Sequence, residues 1–301
     1  MDPPIAVILN THSGDRGGAS TRQTLETLFR ENGRSVRISL ATEQGLQQLA
    51  EQCARGDSDL IVAAGGDGTI ACVAAALAGT GKTLGVLPFG SLNHFSKDLG
   101  IPQQLGEAVR TVVTGRSIQV DVGEVNGRVF VNNACLGVYP LMVSDREAQQ
   151  HRLGRGKWLA FVWATLRILR RYPLLEMRIK VAGKELSRRT PFVFVGNNVY
   201  ALAGSGLGGR RTLQAGNLGL YLTRDTGRFG LFRLLGRAVC GRLNQAMDFD
   251  ALCVEEAWVE TWQRQLLVAT DGEVTPMTSP LHFRTRPGAL RVRVPQAQGP
   301  G

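Results

Sequence analysis

Three short stretches of the chain carry residue types that can handle a phosphate. The first is Gly65-Gly66-Asp67-Gly68-Thr69, set between the apolar run Leu60-Ile61-Val62-Ala63-Ala64 and the alanine-rich segment Ile70 to Ala78. That order predicts strand, turn and helix. Glycines have no Cβ, so the backbone there can approach a phosphate closely, and the free N–H groups and dipole of the following helix favour negative charge. Thr69 reads as the helix N-cap. Asp67 is the discordant residue: a bare carboxylate beside phosphates repels them, so it calls for a metal, a hydroxyl or another polar partner. A plain βα turn with a capping Asp is the simpler alternative, and three glycines around one Asp after a buried strand favour the phosphate site.

The second stretch is Leu87-Pro88-Phe89-Gly90-Ser91-Leu92-Asn93-His94-Phe95, where another strand ends in a glycine, a hydroxyl and an amide. Asn93 can donate to and accept from a base, a ribose or a phosphate, although a capping Asn would have the same spacing. The third, Thr270-Asp271-Gly272-Glu273, follows the strand Leu266-Leu267-Val268-Ala269 and puts two carboxylates on a tight turn. Alone it reads as a hairpin turn. Together with Asp67 it supplies what phosphoryl transfer needs, carboxylates to orient magnesium and one to accept a hydroxyl proton. Two further glycine motifs are decoys. Gly79-Thr80-Gly81-Lys82-Thr83 resembles the end of a P-loop but leads into a strand, so it reads as a helix-to-strand turn. Gly204-Ser205-Gly206-Leu207-Gly208-Gly209 has the dinucleotide spacing, yet Arg210-Arg211-Thr212-Leu213 opens no helix.

The elements that must position these stretches fall into two textures. Up to residue 119 strands and helices alternate: Ile5 to Leu9, a helix from Ser20 to Asn32, Ser35 to Leu40, a helix from Glu43 to Arg55, the central strand and its turn, then Thr83 to Pro88 and two more helices. Alternation of this kind predicts a Rossmann-like parallel sheet with helices on both faces. From Val120 the pattern turns to β, starting with the hairpin Val120 to Val125, Asn126-Gly127, Arg128 to Asn133. Strands then follow at Leu175 to Val181, Lys184 to Val195, Leu218 to Thr223, Cys253 to Glu260 and Arg264 to Thr270, with helices near Trp158 to Arg171 and Leu231 to Met247. The expectation is an α/β nucleotide-binding domain at residues 1–119 and a mainly antiparallel β-sandwich domain with inserted helices at 120–287; a C-terminal strand at 288–296 could return to complete the first domain, which the sequence leaves open.

With 301 residues and 43% apolar composition the chain can bury two cores. Its formal net charge of +10 implies an acidic partner: nucleic acid, an anionic membrane surface or a nucleotide. No nucleic-acid module and no aromatics interleaved with basic residues are present, so no nucleic acid is expected. Five scattered cysteines, Cys53, Cys72, Cys135, Cys240 and Cys253, without a Cys-x-x-Cys pair, suit reduced thiols in a cytoplasm. The beginning, Met1-Asp2-Pro3-Pro4, has no signal-peptide pattern.

Taken in order, the Asn10 to Gly14 loop, Gly65 to Thr69, Leu87 to Phe95 and Asp271-Gly272-Glu273 resemble the diacylglycerol kinase catalytic-domain family, which includes soluble bacterial lipid kinases and sphingosine kinases and is more distantly similar to NAD kinases. The resemblance covers nearly the whole chain. It implies an ATP-dependent lipid kinase, a transferase of phospholipid metabolism, with the nucleotide in the cleft between an α/β domain and a β-sandwich domain. By the same resemblance Asn10, Ser13, Gly65, Gly66, Asp67, Gly68, Thr69, Gly90, Ser91 and Asn93 surround ATP, Glu273 is the general base, and Asp67 and Asp271 complete the catalytic group by holding Mg2+. Three positions depart from the family pattern. Ser91 replaces threonine, His94 stands where many members have Asp, and Gln214 or Ala215 falls where many carry an Asp that binds an accessory magnesium.

The segment Lys157 to Arg171 is too short to span a bilayer, and Arg167, Arg170 and Arg171 share one edge of an otherwise apolar, Trp-bearing helix. That pattern, with Arg146, Arg152 and Arg155 upstream, suits an interfacial helix at an anionic membrane surface as well as a core helix with a basic edge. The expected partner is a lipid substrate at such a surface, most simply diacylglycerol, and the expected location is cytoplasmic and peripherally membrane-associated. A soluble-substrate kinase of the NAD kinase type and a non-catalytic lipid- or nucleotide-binding protein stay open as alternatives. The oligomeric state is also open, a homodimer included.

Overall fold

A computed structural model of the chain describes residues 4–10, 18–42, 45–137, 140, 175–181, 183–200, 209–223 and 249–296. Ser13, the glycine run from 204 to 208, the basic residues Arg146, Arg152 and Arg155, and both helices expected in the β region lie outside the described residues. The chain divides into two compact units. One comprises Met1–Val122, Thr212–Ala215 and Arg286–Gly301; the other comprises Gly123–Arg211 and Gly216–Thr285.

The first unit runs β1 (Ile5–Asn10), α1 (Gly18–Glu31), β2 (Val36–Ala41), α2 (Leu46–Arg55), β3 (Leu60–Gly65), α3 (Asp67–Leu77), β4 (Thr83–Pro88), α4 (His94–Asp98) and α5 (Leu105–Thr114); β5 (Arg116–Val125) then leads into the second unit. Strands β1 to β4 pair in parallel in the order β2-β1-β3-β4. Strands β1, β3 and β4 are short apolar runs because both faces are covered, whereas the edge strand β2 exposes Arg37 and Leu40. Ile5, Val7, Leu9, Val62, Ala64 and Leu87 pack with Leu25 and Phe29 of α1 and Ala108, Val109 and Val112 of α5. Of the other strand residues, Ile8, Ile61, Ala63 and Val86 are also buried, as are Ile70, Val73, Ala74 and Leu77 of α3. Strand order reverses at β1, which has β2 on one side and β3 on the other. Open α/β sheets bind ligands beyond the carboxyl ends of strands at such a switch point.

The Gly79 to Thr83 decoy is a helix-to-strand turn. Gly79 and Gly81 have φ of 80° and 77°, and the Lys82 ammonium donates to the Ser58 carbonyl at 2.9 Å rather than standing ready for a phosphate.

The second unit contains β6 (Arg128–Phe130), β7 (Asn133–Gly137), β8 (Leu175–Val181), β9 (Lys184–Thr190), β10 (Phe192–Asn197), β11 (Leu218–Thr223), β12 (Phe249–Val254), β13 (Glu256–Thr261), β14 (Gln265–Thr270), β15 (Glu273–Thr278) and the start of β16 (Leu281–Val294). One antiparallel sheet has the order β12-β11-β10-β7-β14-β15. A second antiparallel layer joins β9, β8, β13 and the Leu281 to Arg284 end of β16. Leu136, Val195, Leu220 and Val268 of the first layer meet Ile179, Val259, Leu281 and Phe283 of the second in one buried core, which makes this unit a β-sandwich. The far end of β16 pairs in parallel with β4, Arg291 opposite Thr83 and Val292 opposite Leu84, so the chain's last strand does return to the α/β sheet.

Two runs expected as single strands are each broken. Lys184 to Val195 divides at Pro191, whose ring supplies no N–H to a ladder. Cys253 to Glu260 divides at Glu255 because Val254 and Ala257 are both buried. Three residues apart they cannot face one side of one strand, so β12 and β13 belong to different layers.

Candidate active site

In the first unit the end of β1 and the first turn of α3 are stitched together at the switch point. Asn10 ends β1 and donates from Nδ2 to the Thr69 hydroxyl at 2.9 Å. Thr69 is therefore not the N-cap expected from the sequence. Gly66, with extended backbone at φ −81° and ψ −177°, caps α3, and the helix begins at once with Asp67. Thr69 sits in the first turn, buried, with its hydroxyl turned to Asn10. The acidic residue in that first turn is Asp67.

The β4 loop is laid against the same turn. Phe89 N–H donates to the Gly65 carbonyl at 2.9 Å. A Cβ on Gly90 would lie 2.9 Å from the Gly66 Cα and 2.7 Å from Asn93 Oδ1, so only glycine permits this approach. Asn93 is the N-cap of α4 in left-handed conformation, φ 52°. It does not cap with its side chain, whose Nδ2 donates to the Gly90 carbonyl at 2.8 Å and to Gln103 Oε1 at 2.9 Å. Asp67 Oδ1 and Asn93 Oδ1 are buried, and no described group donates to either. Two acceptor oxygens enclosed with no donor among the described residues leave room for one more donor or a cation at each. Ser91, on the same loop, is exposed.

In the second unit Asp271 and Gly272 form the two-residue turn between β14 and β15, with φ of 50° and 89° and Thr270 opposite Glu273. Positive φ at both positions is the type I′ hairpin, which Asp-Gly favours. The Asp271 carboxyl points inward and accepts from Val131 N–H at 2.8 Å, Asn132 N–H at 2.8 Å and Asn133 N–H at 3.1 Å. Three consecutive amides on one carboxylate form an anion nest. Burial pushes its pKa up, against those three bonds and the charge of Arg210. Glu273 lies on the other side of the turn, exposed, with Oε2 in contact with Arg128, whose Nε donates to the Thr270 hydroxyl at 2.8 Å. The other carboxylate oxygen, Oε1, has no described partner.

The residues that sequence reasoning passed over are the ones that hold this turn. Arg128 follows the Asn126-Gly127 turn, and no spacing rule joins it to Glu273. The buried Arg210 donates to the Val131 carbonyl at 2.6 Å, the Asn197 carbonyl at 3.2 Å and Asn132 Oδ1 at 2.9 Å. Its appearance next to a decoy glycine motif concealed it. At the Gln214 position the side chain donates to the Gln119 carbonyl at 2.6 Å, while nearby Asp121 accepts from Gly288 N–H at 2.9 Å. No group of three or more metal-ligating side chains occurs among the described residues, and no described helix is long and apolar enough to cross a membrane.

A diacylglycerol kinase catalytic domain matches residues 4–125, and a YegS C-terminal NAD kinase beta sandwich-like domain matches residues 140–294. The probable lipid kinase YegS of Salmonella gallinarum is 26% identical over 302 residues, covering 97% of this chain and 96% of the relative. A probable lipid kinase YegS-like protein of Serratia proteamaculans is 28% identical over 307 residues, covering 98% and 96%. Among solved structures, a putative diacylglycerol kinase from Bacillus anthracis superposes with a TM-score of 0.74 at 24% identity, covering 97% of each chain. Yeast NADH kinase complexed with NADH gives 0.52 at 11% identity, covering 97% of this chain and 83% of its own. At these identities the solved structures establish the fold.

Proposed function

Because this chain belongs to the diacylglycerol kinase catalytic-domain family, we propose that it transfers the γ-phosphoryl group of Mg-ATP to the hydroxyl of a lipid, diacylglycerol first among the candidates. The observation that carries this reading is the meeting of the end of β1 with the β3 and β4 loops at the switch point, with Asp67 Oδ1 and Asn93 Oδ1 buried there and no donor to either among the described residues. The amides at the start of α3 and the glycine approach suit phosphates, and an adenine amino group or ribose hydroxyl would satisfy Asn93.

Magnesium fits Asp67 on the same ground, since a buried carboxylate oxygen with no donor among the described residues accommodates a cation or its bound water. When bound, the ion would offset the charge on the phosphates. Asp271 does not fit as a ligand in this geometry. Three of its roughly four acceptor sites are filled by backbone N–H groups, and we assign it instead to holding the hairpin. Glu273 is then the base. Its Oε1 takes the acceptor hydroxyl's proton as that oxygen bonds to the γ-phosphorus; the bond from phosphorus to the β–γ bridging oxygen breaks, and ADP leaves with that electron pair. Positioning and charge neutralisation provide most of the rate in this chemistry. The lipid acceptor also suits a protein of net charge +10 working at an anionic membrane surface.

The test is transfer of label from γ-labelled ATP to a panel of lipids in mixed micelles, with and without magnesium, and with NAD as soluble acceptor. Labelled lipid, dependent on magnesium, is the expected product. Labelled NAD alone would replace this reading with that of the NADH kinase neighbour's class.

A further inference from the structure

We infer that Arg210 is a positioning residue for Glu273, acting through the short stretch Val131-Asn132-Asn133 on which the Asp271-Gly272 turn is seated. The inference rests on the reading of Glu273 as the base and extends it to a residue on a different part of the chain. The geometry is a double clamp. Asp271 takes the three N–H groups of Val131, Asn132 and Asn133, and its own N–H donates to the Asn133 carbonyl at 2.9 Å. Arg210 takes the oxygens of the same stretch, the Val131 carbonyl at 2.6 Å and Asn132 Oδ1 at 2.9 Å, and ties them to the Asn197 carbonyl at 3.2 Å. The N–H groups and the oxygens of one three-residue segment are thus held by opposite charges.

Arg210 is buried, at 6% exposure, and Asp271 is partly buried; each carries the hydrogen bonds that a charge withdrawn from water needs. The guanidinium also lies over the Tyr200 ring, 5.3 Å from its centroid. Tyr200 is itself fixed: its hydroxyl donates to the Asn132 carbonyl at 3.2 Å, and its N–H donates to the Tyr221 hydroxyl at 2.9 Å. A planar fork with several donors can reach three acceptors and stack at once, whereas a lysine ammonium is a compact point charge on a flexible stem. Since Ala134 and Cys135 of β7 pair with Thr270 and Ala269 of β14, a shift of the 131–133 seat is passed directly to the turn that carries Glu273. A misplacement of about 1 Å at a reacting group costs on the order of 10²-fold in rate.

The full chain is assayed with γ-labelled ATP and the most active lipid of the panel, comparing wild type, R210K, R210M, N132A and E273Q. Both Arg210 variants should lose about 10- to 100-fold in kcat while the KM for ATP stays within about twofold. R210K should do no better than R210M, which a purely electrostatic role would not produce. N132A removes one acceptor of the fork; it should lower kcat by a smaller factor and add less than its full effect in R210K/N132A. N132A also stands in should the Arg210 variants melt during expression. Wild-type kcat in folded R210K or in N132A, with E273Q inactive, would overturn the positioning role and leave the base intact. Full turnover in E273Q would overturn both.

Discussion

Gly90→Ala is the sharpest perturbation of the nucleotide loops, because the structure states what the new methyl would meet. Its Cβ would stand 2.7 Å from Asn93 Oδ1 and 2.9 Å from the Gly66 Cα. The amide end of Asn93 could turn aside at the cost of its bonds to the Gly90 carbonyl and Gln103. The Gly66 Cα cannot turn aside, since it is backbone at the cap of α3. To restore ordinary carbon contact the two loops must separate by about 0.6 Å. Overpacking of this size costs about 1–3 kcal/mol, which corresponds to a fall in Tm of roughly 2–5 °C for a protein of this size. The separation opens the place where the phosphates are proposed to lie. ATP affinity, measured by titration calorimetry in the presence of magnesium, should therefore fall about 10-fold or more, as expected for displaced ligand-binding groups. A G90A protein that binds ATP like wild type and melts at the same temperature would refute the close packing of the loops and their role in nucleotide binding.

Other outcomes follow from single side chains. Asp67→Asn should raise the magnesium concentration needed for half-maximal activity about 10-fold; without magnesium it should bind ATP more tightly than wild type, since the carboxylate's repulsion of the phosphates is gone. A lower magnesium requirement would contradict the assignment. Asp271→Asn turns an amide NH2 toward at least one of the three backbone donors and should cost about 1–3 kcal/mol in urea unfolding, with turnover falling alongside; unchanged stability would argue against the nest. The Glu256 carboxylate is held below its usual pKa first by the Trp258 indole N–H and next by His282. A folded-state pKa lowered in this way contributes stability above the ordinary glutamate range that is lost as pH falls through the lowered folded value. The Tm deficit of E256Q should therefore be present near neutral pH and close in acid, and a deficit that widens in acid would contradict the assignment.

The parts of the molecule that sequence alone revealed are those specified by local chemistry. Apolar runs ending in glycine announced β3 and β4 and their loops, because a parallel strand covered on both faces leaves an unbroken apolar stretch. Asn126-Gly127 and Asp271-Gly272 announced their hairpins, since both need positive φ at two successive residues. The break at Glu255 was also available in principle, from the odd spacing of Val254 and Ala257. Thr69 misled because its type suits an N-cap; the helix instead takes Gly66 as its cap and starts three residues earlier, which turns the hydroxyl to Asn10. The seat of Glu273 was invisible for a different reason. Asp271 meets residues 131–133 from 138 or more positions away, and Arg210 reaches them across nearly 80. Such partners share no periodicity with one another, so only the folded chain reveals that a carboxylate expected beside a metal is engaged by backbone amides.

The central claim is that Glu273 removes the proton from a lipid hydroxyl while other residues, at the end of β1 and in the β3 and β4 loops, hold ATP. The most direct measurement compares E273Q with wild type in two assays on the same preparations: ATP affinity, and transfer of γ-label to lipid. The account predicts unchanged ATP affinity with a loss of transfer on the order of 10²- to 10⁴-fold, the usual contribution of a positioned base. Transfer at the wild-type rate in E273Q would contradict it.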